Sequence, residues 1–410
     1  MIDSGVMPRM KEIVSRGRMA PMTASLPEIS SVSWSTFMTG LDPGGHGIFG
    51  FTDFKDASYA LRYPSFRDLG APTIWDRLGE RRMRSVVIDQ PATYPARPIP
   101  GVLISGFVAL DLEKAVAPRS YLAALRGMNY EIDIDAAKCR DNPDELFSAL
   151  GKRLAERRSV VDALWEKEEW NLMEIVVTGT DRLHHFMWDA CEDANHPRRE
   201  DVLAYYRAID DFLGHVYEKF RRLDAGGNFF MLSDHGFCAA KREVYVNAVL
   251  RAEGFLDLAP GASSLEGITE RTKAFALDPA RIYINRAGRF PRGRIDEADA
   301  KSLLEDLAAI FDALEVGGER VVRRRFTGRE AYSGPFARRG PDLVLVPRNG
   351  FDLKGRPGAA EISGERRFQG MHTWEDAFFF SLDPAAIEDP NDLNIVDVPK
   401  TILRSIDVEP

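Results

Sequence analysis

Cysteine is scarce in this sequence, and long apolar runs are absent. The three cysteines, Cys139, Cys191 and Cys238, are far apart and odd in number, so neither a disulfide framework nor a cysteine-based metal site is expected. No apolar run reaches the roughly 18 residues of a membrane span, and residues 1–18 lack the apolar centre of a signal peptide. We therefore expect no membrane segment and a reducing, cytoplasmic location.

Blocks of basic residues are absent as well. The formal net charge is -9, and no stretch of five or six Lys/Arg occurs, so a nucleic-acid-binding surface is not expected. No strand-like run is followed by Gly-x-Gly-x-x-Gly, which disfavours a dinucleotide-binding enzyme. With 44% hydrophobic residues, the 410-residue chain has enough apolar material for one large domain or two smaller ones.

Short apolar runs alternate with amphipathic segments along the chain. The runs are rich in β-branched residues and nearly continuous, as in strands buried on both faces. They lie at residues 85–89, 102–105, 173–178, 228–233, 281–285 and 342–346, and helical patterns lie at 8–16, 144–168, 201–223 and 298–314. The alternation predicts an α/β fold with a doubly wound, mostly parallel sheet and helices on both faces. Residues 107–141 are less periodic and more charged, and we interpret them as a helical excursion or lid.

Two polar clusters directly follow strand-like runs, where the active sites of such sheets gather. In Thr180-Asp-Arg-Leu-His-His-Phe186, a helix would place Asp181 and His185 four residues apart on one face, close enough to bind one metal ion. The pattern also fits an acidic helix cap followed by two surface histidines. In Ser233-Asp-His-Gly-Phe237, adjacent Asp234 and His235 end a strand, and the following glycine lets the backbone turn.

A late histidine and an early serine-rich turn complete the set of candidates. His372 follows Gly370 in a predicted loop, where a single histidine is usually a hydrogen-bonded bystander. The turn Leu26-Pro-Glu-Ile-Ser-Ser-Val-Ser-Trp34 leads into a helix-like segment. A serine hydroxyl there can be a helix cap, or it can act as a nucleophile if a metal ion lowers its pKa.

The order and spacing of these motifs resemble the type I phosphodiesterase and nucleotide pyrophosphatase family of the alkaline phosphatase superfamily. The resemblance covers nearly the whole chain and depends on collinear landmarks. These are Met7-Pro-Arg-Met10, residues 27–40, Gly44-Gly-His-Gly-Ile-Phe49, Pro91-Ala-Thr-Tyr-Pro95, Ser105-Gly-Phe107, Thr180-Asp-Arg182, Ser233-Asp-His-Gly236 and Gly370-Met-His372.

The resemblance implies a two-metal hydrolase of phosphate esters that forms a covalent phosphoryl-enzyme intermediate. It makes Ser30 the nucleophile, with Ser31 and Ser33 as near alternatives. Asp181, His185 and His372 would hold one metal ion, and Asp234, His235 and the Ser30 oxygen the other. Zinc suits this ligand set best, and manganese is the alternative. Arg182 is expected on the helix surface, with a position facing the substrate as the alternative. His46 is expected to support its loop, and the substrate would be small, phosphorylated and nucleotide-like.

One departure from the family pattern concerns the ends of the chain. Family members begin with a strand that ends in an aspartate ligand of the second metal ion, whereas this sequence begins after that strand, and Asp3 is too close to the first helix to replace it. The end at Pro410 also precedes the closing segment of the family. We therefore expect residues 1–410 to be a single catalytic domain clipped at both ends, with weak metal binding if the chain is complete.

Other functions remain open at this stage. A phosphomonoesterase, a phosphonate hydrolase or a phosphomutase would use the same scaffold, because substrate class depends on pocket contacts. A non-catalytic binding protein is the alternative from a different class, motivated by the absent carboxylate. A sulfatase is disfavoured because the nucleophile turn lacks the Cys/Ser-x-Pro-x-Arg pattern.

Overall fold

A computed structural model describes residues 1–223 and 226–409 as an α/β fold, as predicted. All six predicted strands and all four predicted helices are present, each with its ends within three residues of the prediction. The α-helices are Pro8–Ser15, Ser30–Thr39, Pro43–His46, Ile74–Glu80, Leu112–Ala115, Leu122–Gly127, Ala136–Cys139, Pro143–Lys167, Gly179–Glu192, Arg199–Arg221, Val246–Ala252, Glu297–Ala313, Gly328–Ala331 and Val398–Arg404. None of the helices in the described residues is long and apolar enough to span a bilayer.

A four-stranded sheet forms the centre of the first core. Its strand order is Val116–Ala117, Gly101–Ser105, Ser85–Gln90 and Leu172–Ile175. The last three strands are parallel to one another, and Val116–Ala117 is antiparallel to its neighbour. Every side chain of Ser85–Gln90 is buried, which explains its almost continuous apolar sequence.

A second sheet contains Arg18–Met22, Ala377–Ser381 and Phe230–Leu232, all paired antiparallel. Within the described residues, the two sheets are separate: Leu172–Ile175 and Phe230–Leu232 are each paired along one edge. Their other edges border one cavity of about 1390 Å³, which is lined mainly by apolar groups. Ser30, Asp181, Asp234 and His235 line the same cavity.

A second hydrophobic core surrounds an antiparallel sheet in the later part of the chain. This sheet has the order Ala274–Leu277, Arg281–Ile284, Leu343–Pro347 and Val322–Thr327, so two of the predicted strands lie here. Helix Glu297–Ala313 buries Leu303, Leu307 and Phe311 in this core. The remaining sheets pair Phe351–Lys354, Arg242–Tyr245 and Ser363–Glu365; Gly370–Thr373 and Gly236–Ala239; Asp53–Phe54 and Leu61–Arg62; and Glu315–Val316 and Glu319–Arg320.

The segment 107–141 contains three of the short helices, Leu112–Ala115, Leu122–Gly127 and Ala136–Cys139. It packs on the first core through buried Tyr130 and Ile134. These contacts place the segment over the carboxyl ends of the parallel strands, because Tyr130 donates a hydrogen bond to Asp89, near the end of Ser85–Gln90.

Candidate active site

Asp181 and His185 lie on one face of the first turns of helix Gly179–Glu192. The helix begins soon after strand Leu172–Ile175, so it projects both side chains from the carboxyl end of that strand. The spacing of four residues brings Nε2 of His185 to 3.5 Å from Oδ1 of Asp181. The two side chains can therefore contact one small cation.

His372 reaches these two residues from a strand. Gly370–Thr373 pairs antiparallel with Gly236–Ala239, and His372 lies opposite Phe237. Its Nε2 atom lies 3.0 Å from Nε2 of His185 and 3.3 Å from Oδ1 of Asp181. Ligand atoms of the three residues all lie within 4.8 Å of one another. A residue expected in a loop is thus fixed in a strand, directly beside the other two.

Asp234 and His235 approach the same point after strand Phe230–Leu232 ends. Nε2 of His235 lies 3.4 Å from Oδ2 of Asp234 and 3.8 Å from Oδ1 of Asp181. The rings of His235 and His372 are stacked, with centroids 3.5 Å apart. Oδ2 of Asp234 is buried and has no hydrogen-bond partner among the described residues. All five residues proposed as ligands from the sequence therefore come together at one place.

The protein fixes the orientation of all three histidines through their Nδ1 atoms. Nδ1 of His185 lies 3.0 Å from the Gly370 carbonyl, that of His372 3.0 Å from the Glu28 carbonyl, and that of His235 3.1 Å from the Gly236 carbonyl. Because a carbonyl only accepts, each Nδ1 must carry the proton, which leaves the Nε2 lone pair of the neutral ring directed into the site. Two such lone pairs, on His185 and His372, face each other across 3.0 Å, an arrangement that a cation between or beside them would stabilise. The chemistry of this ligand set fits a divalent metal ion.

Ser30 is the first residue of helix Ser30–Thr39, and its Oγ lies 3.2 Å from Nε2 of His235. The neighbouring serines are placed differently. Oγ of Ser31 is buried and has no hydrogen-bond partner among the described residues, and Oγ of Ser33 lies 2.8 Å from Oγ of Ser25. The amino end of the helix adds a partial positive charge beside Ser30, which favours an anionic group there.

Burial and the charges of neighbouring groups shift the pKa values of the Asp and His side chains in the site. Burial alone would raise the pKa of Asp181, but His185, His372 and Arg182 outweigh it and hold that pKa well below its ordinary range. Burial, reinforced by the charge of Asp181, raises the pKa of Asp234 to about 7. Burial lowers the pKa of both His185 and His235 to about 4. The imidazoles are therefore neutral at pH 7, the form in which they bind metal ions.

Two other histidines of the predicted motifs do not join this cluster, whereas Arg182 borders it through Asp181. His184 turns away, and its Nε2 lies 2.5 Å from the Tyr206 hydroxyl. His46 is fully buried, accepts a hydrogen bond from the Ile48 amide and lies 3.2 Å from Oγ1 of Thr36, so it supports its loop as expected. The expectation that Arg182 is on the helix surface was wrong, because only 9% of the residue is exposed.

Two supporting features were missed from the sequence. The carbonyl of Glu28 orients His372, and the buried Glu28 carboxyl, with a pKa raised by burial to about 7, has one oxygen without a partner among the described residues. Gly370 allows the close approach of its strand to helix Gly179–Glu192, because a Cβ atom there would lie 2.5 Å from the His184 carbonyl oxygen. The sequence does not show which backbone carbonyl will orient a histidine. Gly370 was visible in the sequence as part of the motif that contains His372, but its role in packing was not.

A comparison with protein families gives one match over most of the chain. The model of a family described as type I phosphodiesterase / nucleotide pyrophosphatase matches residues 1–375. No curated protein sequence matches the chain significantly.

Several solved structures share the fold. A phosphonoacetate hydrolase from Sinorhizobium meliloti 1021, bound to phosphonoformate, is 16% identical with a TM-score of 0.63, over 98% of this chain and 91% of that one. The murine ectonucleotide pyrophosphatase / phosphodiesterase 5, as an inactive variant bound to AMP, is 14% identical with a TM-score of 0.55, over 98% and 90%. The alkaline phosphatase PafA is 12% identical with a TM-score of 0.58, over 97% and 91%.

Proposed function

Because this chain belongs to the type I phosphodiesterase / nucleotide pyrophosphatase family, we propose that it hydrolyses small phosphodiesters with Ser30 as the nucleophile and two bound divalent cations. Membership of the family makes the chain a phosphoryl hydrolase of the alkaline phosphatase superfamily. The assignment of Ser30 as the nucleophile beside two cations rests on one observation. Ser30 Oγ and three imidazole Nε2 atoms converge around the Asp181 carboxylate.

The ligands divide into two sets. Asp181, His185 and His372 would hold one cation, since their ligand atoms already lie close together. Asp234, His235 and the Ser30 oxygen would hold the other, since Ser30 lies beside His235. The bound cations, zinc for this ligand set with manganese as the alternative, would lower the pKa of the Ser30 hydroxyl and of a water molecule and neutralise charge on the phosphoryl oxygens.

Ser30 would act in two half-reactions. In the first, its deprotonated Oγ forms a bond to phosphorus while the ester bond to the leaving alcohol breaks, which gives a phosphorylated serine. In the second, a water oxygen forms a bond to phosphorus while the bond to Ser30 breaks, which restores the serine. The amino end of helix Ser30–Thr39 supports both steps, because its partial positive charge lies beside the serine that carries the phosphoryl group.

The chain's own contacts keep this site in order. The carbonyls of Gly370, Glu28 and Gly236 fix the three imidazole rings, so that the Nε2 atoms need little reorganisation. For the substrate we propose a small, nucleotide-like phosphodiester bound to a single catalytic domain, with residues 107–141 as its lid. The relatives bound to AMP and to phosphonoformate support a small phosphorylated ligand of this size.

The test combines elemental analysis with a panel of substrates. The purified chain is loaded with Zn²⁺ or Mn²⁺ and assayed on bis-p-nitrophenyl phosphate, p-nitrophenyl phosphate and phosphonoacetate. Two metal ions per chain with preferred turnover of the diester would support the proposal. Preference for the monoester or the phosphonate would shift the function to one of those classes on the same scaffold. Full metal loading without turnover of any of the three would overturn the proposed hydrolysis of small phosphodiesters and favour a binding role.

A further inference from the structure

Arg182 is a buried cation next to the candidate metal ligands. It follows Asp181 directly on helix Gly179–Glu192, yet only 9% of the residue is exposed. A buried arginine is retained where its planar group of donors is fully engaged. Its partners come from the helix itself and from the segment 107–141.

The contacts of Arg182 join these two parts of the molecule. Its Nη2 donates to Oδ2 of Asp133 at 2.5 Å, and its Nη1 lies 3.6 Å from Oδ2 of Asp181. The guanidinium carbon lies 4.1 Å from the centre of the Phe107 ring, a cation–π distance. Phe107 and Asp133 are both in the segment 107–141, and Phe107 also lines the cavity that contains Ser30.

The two oxygens of Asp181 have different partners. Oδ1 faces the histidines, at 3.3 Å from His372 and 3.5 Å from His185, whereas Oδ2 faces Arg182. Rotation of the carboxylate would therefore break its contact with the guanidinium. We propose that Arg182 is a positioning residue, which holds Asp181 with Oδ1 toward the histidines and is itself held by Phe107 and Asp133. This inference rests on the proposed function, because it assumes that Asp181 binds a metal ion.

The segment that supplies Phe107 and Asp133 is itself anchored. Tyr130 donates a hydrogen bond to buried Asp89, and Nη2 of Arg157 donates to the Ile132 carbonyl at 2.9 Å, so the residues just before Asp133 are fixed. Phe107 packs edge to face against Phe51, with ring centroids 5.8 Å apart. Phe107 and Asp133, the two residues of this segment that contact Arg182, are thus both held in place by the rest of the fold.

A positioning role and a purely electrostatic role predict opposite effects on metal binding. A fixed positive charge near the site repels a cation, so loosening or removing Arg182 would strengthen metal binding if charge alone mattered. If Arg182 orients Asp181, the same change weakens binding, since loss of a group that orients a ligand typically costs 10- to 100-fold in metal affinity. The sign of the change therefore separates the two roles.

The first experiment measures the Kd for Zn²⁺ alone by calorimetric titration of the full chain. The variants are Asp133→Asn, Phe107→Leu and Arg182→Lys, and the control is Glu113→Gln, which removes an exposed ion pair with Arg126 in the same segment. We expect Phe107→Leu, which changes no charge, to weaken Zn²⁺ binding about 10- to 100-fold and the control to leave it unchanged. Asp133→Asn should weaken it as well, but there the loss of a negative charge acts in the same direction. Arg182→Lys should also weaken it, because lysine keeps the charge but not the planar group of donors. Unchanged or tighter binding in Phe107→Leu and Arg182→Lys would overturn the inference.

A second experiment tests whether Zn²⁺ binding at the site in turn stabilises the segment 107–141. If Asp133 and Arg182 link the segment to the metal site, Zn²⁺ must slow hydrogen exchange of residues 107–141 in the wild type and do so less in Asp133→Asn. Equal slowing in both would contradict the link. Phe107→Leu changes neither a charge nor a hydrogen bond, so it decides the question even if Arg182→Lys does not fold, as judged by circular dichroism. A wild-type chain that binds neither Zn²⁺ nor Mn²⁺ would overturn the proposed function itself, whereas normal binding with unaffected variants overturns only the positioning role.

Discussion

The Oγ atom of Ser30 lies 3.2 Å from Nε2 of His235, although the two residues are 205 positions apart in the chain. Ser30 begins a helix and His235 follows the end of a strand, so both sit at ends of elements that converge on the cavity. This contact distinguishes Ser30 from the two other serines in the same turn.

Replacing Ser30 by Ala should abolish turnover of the preferred ester while leaving most of the metal content in place. The reason is that the variant loses the attacking oxygen but keeps the five Asp and His ligands. Steady-state kinetics and elemental analysis of the same sample check both statements. Ser31→Ala is the matched control, because its hydroxyl makes no hydrogen bond in the described structure. Activity retained by Ser30→Ala and lost by Ser31→Ala would move the nucleophile to the neighbouring serine.

Metal removal should lower thermal stability, because cations bind the folded site and not the unfolded chain. At a free metal concentration about 100-fold above Kd, bound metal adds roughly 2.7 kcal/mol to the free energy of unfolding. Differential scanning fluorimetry with and without a chelator measures the effect. His372→Ala should lose most of this response. His215→Ala should keep it, since His215 pairs with Asp162 and is not among the proposed ligands. An equal response in both variants would argue against His372 as a ligand.

Glu28 should make the stability of the protein depend on pH. Its pKa is raised by burial from an ordinary value of 4.5 to about 7, so the folded state keeps a proton that the unfolded state loses. The contribution of Glu28 to the free energy of unfolding therefore falls as pH rises from about 4.5 to about 7, by on the order of 3 kcal/mol, and is constant above that range.

Glu28→Gln tests this assignment, because glutamine has the shape of the protonated acid and does not titrate. Urea unfolding at pH 4.5 and pH 8 should show a smaller loss of stability between the two values for the variant than for the wild type. Glu113→Gln, an exposed site, serves as the control. An identical loss in wild type and Glu28→Gln would mean that another group causes the pH dependence.

The edges of the two central sheets should be less protected than their interiors. Strands Leu172–Ile175 and Phe230–Leu232 are each paired on one side in the described structure and border an apolar cavity. Hydrogen-exchange mass spectrometry should therefore show faster exchange for these two strands than for Ser85–Gln90, which is paired on both sides. Equal protection of all three strands would show that the two edges are covered in solution.

Much of the fold could be predicted from the sequence because its signals are local. The apolar runs around residues 85–89 and 102–105 become buried parallel strands, and the 3.6-residue periodicity of residues 144–168 becomes helix Pro143–Lys167. Strands Arg18–Met22 and Ala377–Ser381 were missed. Arg18–Met22 has two of its five side chains buried and contains a proline, so its sequence lacks both a continuous apolar run and an alternating one.

The sequence by itself determined which residues could bind a metal ion and which could attack phosphorus, because the chemistry of Asp, His and Ser side chains does not depend on the fold. It also determined the spacing of Asp181 and His185, since one helix sets that geometry. The tertiary structure alone decided that Asp234, His235 and His372 meet them, which of three serines reaches His235, and that Arg182 is buried against Asp133. The reason is physical: these contacts join residues far apart in the chain, and the packing of whole strands and helices sets their distances.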